Sequence, residues 1–114
     1  MGQNLELPSY NNISAEEMAA KIGLNVKHIP ILVQSFTEES KILLKQLETA
    51  IHAKDYTEVG NVAHSIKGSS GNLKFDEMYE LAKALEHSAK TVDKEYPYLP
   101  AYESLKKAIE SISL

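Results

Sequence analysis

The sequence predicts an all-α protein, an antiparallel four-helix bundle with a short additional N-terminal helix. Three observations lead there. Apolar residues recur at helical spacing in four long stretches, cap-forming residues stand at the ends of several of them, and no convincing strand pattern interrupts them. Long amphipathic helices joined by short loops bury their apolar stripes most simply against one another, in antiparallel order.

Residues 1–12 are polar and read as a flexible segment ahead of a single domain spanning 13–114. Ser14-Ala15-Glu16-Glu17 matches a capping box and opens a short helix through Ile22, which Gly23 can end. A long second helix follows over about 26–54. Its stripe is Ile29, Leu32, Val33, Phe36, Leu43, Leu47, Ala50 and Ile51, and Pro30 is acceptable because it falls in the first turn or so. Ile31 and Ile42 stand off that stripe. They either pack under the first helix, the preferred reading for Ile31, or form part of a docking patch.

The third helix begins near Tyr56, where Asp55 can accept from an early backbone N–H and Glu58 favours the positive end of the helix dipole. Val59, Val62, Ala63, Ile66, Ser70 and Leu73 form its inward stripe. Asp76 is the expected cap of a fourth helix carrying Met78, Leu81, Ala82, Leu85, Ala89 and Val92 on one side. Tyr96-Pro97-Tyr98-Leu99-Pro100 breaks the pattern, and a last helix from about Pro100 turns Leu105, Ala108, Ile109 and Ile112 inward.

Composition limits what such a bundle can do. With 114 residues, 43% hydrophobic and 25% charged, the chain can bury one core, which leaves no room for a nucleotide-binding catalytic domain. It has no cysteine, so disulfide, thiolate and zinc–cysteine chemistry are excluded. The net charge is −4 and the twelve basic residues are scattered lysines, an arrangement unlike the concentrated patch that nucleic acid requires. No apolar run is long enough for a membrane span and no signal peptide is present, so a cytoplasmic location is expected.

The most informative residues lie on the third helix. Gly60, Gly68 and Gly71 project at roughly −40°, +40° and −20° from His64 around the helix axis, with the apolar stripe roughly opposite. Interior glycine costs about 0.5–1 kcal/mol relative to alanine, so three on one face imply that something approaches the backbone there. His64 is expected to point to solvent, in a stripe cleared for another protein. His28, His52 and His87 fall on other helices at no ligand spacing, and no metal site is expected. Ser69 and Ser70 lack the partners of a nucleophilic triad.

The run Ala63-His64-Ser65-Ile66-Lys67-Gly68-Ser69-Ser70-Gly71-Asn72-Leu73, followed by Leu81-Ala82 and Leu85-Glu86, resembles the signature of histidine-containing phosphotransfer (HPt) domains of two-component phosphorelays. The resemblance implies a four-helix bundle whose exposed histidine accepts a phosphoryl group from a receiver-domain aspartate and passes it to another receiver. His64 fills that position, Lys67 the lysine three residues on, and Gly68 the small residue that admits the receiver. It further implies receivers as partners, no cofactor on this chain, magnesium on the receiver, and a carrier in place of an enzyme; a monomer is expected. Lys74 departs from the glycine that family members often carry after Leu73, which bears on the shape of the helix end.

The residue types suit that chemistry on their own account. A neutral imidazole is a good nucleophile near neutral pH, its reference pKa being about 6.5, and phosphoryl transfer depends mainly on positioning and charge stabilisation. Lys67, one turn on and roughly 60° around from His64, can bring an ammonium near phosphoryl oxygens. Two other classes fit the pattern. One is the phosphoacceptor domain of a chemotaxis-type kinase, served directly by an ATP-bound catalytic domain; the other is a helical interaction module without phosphate chemistry.

Overall fold

Backbone capping explains where each helix starts. In the computed structural model, which describes residues 5–114, Ser14 accepts from the Glu17 N–H and opens α1 (Ala15–Ile22), and Gly23 closes it with φ 84°. Asn25 caps a 3₁₀ turn, Val26–His28, that leads directly into α2 (Ile29–His52), with Pro30 in its first turn. The helix expected from residue 26 is therefore a 3₁₀ turn followed by an α-helix, since the proline ring tolerates no earlier intrahelical bond at its nitrogen. Asp55 accepts from the Glu58 N–H at the start of α3 (Tyr56–Asn72).

Two starts differ from expectation. Phe75, not Asp76, occupies the cap position of α4 (Asp76–Lys90), and Asp76 lies inside the first turn, where its charge complements the dipole without a capping bond. The last helix, α5 (Tyr98–Glu110), begins two residues before Pro100, which again falls in a first turn.

The helices α2 to α5 surround one core, with α3 packed most closely on α4, α2 against both α3 and α5, and α1 against the beginning of α2. Fully buried Ile29, Leu47, Ile66, Met78, Leu85, Leu105 and Ile109 come from all four long helices. Leu32, Leu43 and Ile51 are only half-buried, whereas Leu44 and Ser40 lie inside. Ile31 does not pack under α1; it is 66% exposed. Val92 is exposed too, because it ends α4 in the left-handed region at φ 51° and turns away from the stripe. Ile112 is half-buried at the end of the bundle.

Lys74 adopts φ 62°, with Phe75 N–H bonded to the Ser70 carbonyl and Lys74 N–H to that of Gly71. The lysine thus makes the left-handed closure that glycine makes more cheaply, at a cost of about 1 kcal/mol. Of the segment expected to be flexible, residues 1–4 lie outside the described ones. From Leu5 on, Leu5, Leu7 and Tyr10 lie against the core, and residues 10–13 exchange backbone bonds with Ser113. Among the described residues no helix is long and apolar enough to cross a membrane.

Candidate functional site

Because Val59, Val62, Ala63, Ile66 and Ser70 are buried, α3 is held with its opposite side outward, and His64 emerges midway along it with its side chain 64% exposed. The ring is not free in solvent. Its Nδ1 lies 2.8 Å from Oε2 of Glu86 on α4. The same oxygen is 2.8 Å from Nζ of Lys90, and the other carboxylate oxygen, Oε1, is 2.7 Å from Nζ of Lys67. One carboxylate therefore gathers an imidazole and two ammonium groups.

Glu86 is itself buried, one turn after the fully buried Ala82. Burial alone would raise its pKa, but the bonds from Lys67, Lys90 and His64 outweigh that penalty and bring it down to about 2. Its bond to Glu86 in turn raises the Lys67 pKa, against a smaller opposing effect of burial. With Glu86 ionised it can only accept, so Nδ1 carries the hydrogen and donates it. In the neutral ring the lone pair is then on Nε2, the nitrogen away from the carboxylate.

The depressed pKa has a thermodynamic consequence. The unfolded carboxyl titrates near 4.3, so the network's contribution to stability is fully present above about pH 5 and is lost as the pH falls through 2. Glu86→Gln should melt roughly 5 °C below the parent at neutral pH, equivalent to about 1 kcal/mol after allowing for solvent screening of the exposed Lys90. In melting curves recorded between pH 2 and 7, that gap should narrow steadily below pH 5. A gap independent of pH would show that the charge on Glu86 does not stabilise the fold.

The three glycines do not form one open stripe. A methyl built on Gly68 meets nothing within 4 Å, but one on Gly60 would lie 3.5 Å from Cγ of Lys90 and 3.7 Å from Cβ of Ala89, and one on Gly71 would lie 3.2 Å from the Tyr79 ring. Gly60 and Gly71 thus face α4, Gly71 closely enough that a methyl would press on the Tyr79 ring, and of the three only Gly68 faces open space. The helical angles account for the division. Gly60, Gly71 and Lys67 are all on the negative side of His64, where α4 packs, and Gly68 is on the positive side. On that side His64, Ser65, Gly68, Ser69 and Asn72 of α3 share a shallow groove with Glu39, Ile42, Leu43 and Gln46 of α2.

Glu86 is the residue that sequence reasoning passed over as part of the site. A usable signal was present, since a carboxylate set among Ala82, Leu85 and Ala89, with a lysine four residues on, is a charge on the edge of a buried stripe. Among the described residues no group of His, Asp and Glu side chains is arranged to hold a metal ion.

The chain matches the family model described as Hpt domain over residues 31–113. No curated protein and no solved structure matches the chain.

Proposed function

This chain belongs to the Hpt domain family, and from that premise we propose that His64 takes a phosphoryl group from the aspartate of one receiver domain and delivers it to another. Histidine phosphotransfer in phosphorelay signalling is the work of the family, whose members are carriers and not catalysts and interact with receiver domains. The observation that carries the finer reading is the bond from His64 Nδ1 to Glu86, beside an exposed ring.

The step follows from that bond. The Nε2 lone pair attacks the phosphorus of the aspartyl phosphate, a P–N bond forms as the P–O bond to aspartate breaks, and the aspartate leaves as a carboxylate. The ring becomes positively charged without having to lose a proton, and Glu86 stabilises that charge through Nδ1–H. Delivery to the second receiver reverses these events. Gly68 and the neighbouring groove with exposed Ile42 give the receiver its approach. On this reading the protein works as a cytoplasmic monomer with no cofactor of its own, and magnesium belongs to the receiver.

Incubation with a phosphorylated receiver tests the proposal. It should place an acid-labile, base-stable label on the chain, and a chain that stays unlabelled with every receiver of its genome would refute it.

Lys67 acts from its place on Glu86, holding the carboxylate and adding positive charge near the incoming phosphoryl oxygens. Lys67→Ala should slow transfer roughly tenfold while Glu86 keeps Lys90 as a partner. Rates equal to the parent at both low and physiological salt would reduce Lys67 to a surface lysine.

A further inference from the structure

Lys90 enters no step above, yet its placement is specific. Its ammonium sits on the same Glu86 oxygen that accepts from His64 Nδ1, one helical turn along α4, and its stem passes Gly60 of α3, with Cγ 3.5 Å from where a methyl on that glycine would lie. A carboxylate bonded to imidazole ordinarily makes the ring more basic, favouring the doubly protonated form in which Nε2 has no lone pair to offer. A carrier gains the tautomer from Glu86 but risks losing the nucleophile. The charged groups around the ring are Glu86 and Lys90 on α4, Lys67 on α3 and Glu39 across the groove on α2.

We propose that Lys90 is a positioning residue that offsets the charge of Glu86 at Nδ1, so that the carboxylate fixes the tautomer of His64 without drawing a second proton to Nε2. The proposal rests on the reading of His64 as phosphoryl acceptor. Lys67 compensates the far oxygen, Oε1, and Lys90 the oxygen that the imidazole shares. The lysine stem runs along α3 beside Gly60, one turn before His64, as its head reaches Glu86.

The test is the protonation of the His64 ring followed by NMR at low salt, its signals assigned by their absence in the His64→Gln protein. Lys90→Met keeps the apolar stem and removes the charge. Its His64 titration midpoint should rise by about 0.5 pH unit, the size expected for one partly exposed charge two hydrogen bonds away. Lys90→Gln should move it the same way, Lys90→Arg should stay within about 0.2 unit of the parent because the guanidinium restores the pair, and the acid limb of receiver-driven labelling should follow the midpoint. A purely structural lysine would leave the midpoint alone, so an unmoved or lowered midpoint in the Met and Gln proteins overturns the proposal. The titration needs no phosphoryl donor. A moved midpoint in a chain that never accepts label would refute the acceptor reading instead.

Discussion

Replacing His64 by glutamine should abolish acid-labile labelling of the chain by a phosphorylated receiver and leave the helical content unchanged. Glutamine has no ring nitrogen with a nucleophilic lone pair, so the P–N bond cannot form. The side chain is 64% exposed and none of the core depends on it, so the melting temperature should stay within about 3 °C of the parent. His28, His52 and His87 provide the internal control. They are exposed as well, but none has the carboxylate bond that directs a lone pair outward at His64. Phosphopeptide mapping and labelling of the variant decide the matter together. Label that persists in His64→Gln at more than a trace would move the acceptor elsewhere and end the present reading of the site.

Gly68 should separate stability from transfer. Since a methyl there meets nothing within 4 Å, Gly68→Ala should stabilise the bundle by about 0.5–1 kcal/mol through helix propensity and a less flexible unfolded chain, raising the melting temperature by roughly 3–6 °C. Gly68→Gln shares most of that gain, because its side chain also enters open space. It places four further heavy atoms beyond the methyl, one turn from His64, at the edge of the groove with Ile42. A receiver must bring its aspartate within bonding distance of Nε2, so an obstruction there should cut the transfer rate by two orders of magnitude or more while the melting temperature stays at or above the parent's. Transfer at the parental rate in Gly68→Gln would mean that the receiver docks from another side. Comparison with Gly60 sharpens the result, since a long side chain at that buried position would displace Lys90 and α4 and lower stability as well.

The local elements were legible because each is determined by neighbours in the chain. Ser14, Gly23 and Asp55 mark helix ends through bonds that span three or four residues, and the stripe from Val59 to Ser70 follows from a period of 3.6. Where the reading slipped, a single residue had two roles open to it. Asp76 can cap or sit in the first turn with similar electrostatic benefit, and Val92 continues the apolar spacing of α4 although the backbone has already left the helix.

Sequence alone also determined that His64 stands on the outward side of α3, because that side is whatever the apolar stripe leaves over. It likewise set the angular order of Gly60, Gly71 and Lys67 to one side of the histidine and Gly68 to the other. Which helix lies on which side was decided only by the tertiary structure. Packing α4 close to α3 buried Gly60, laid Tyr79 on Gly71, and brought Glu86 from 22 residues away to within 2.8 Å of His64. The reason is physical: a side chain's direction follows from the helix that carries it, whereas its partner depends on how two stripes of limited width fit together, a property of the whole core that no single segment contains.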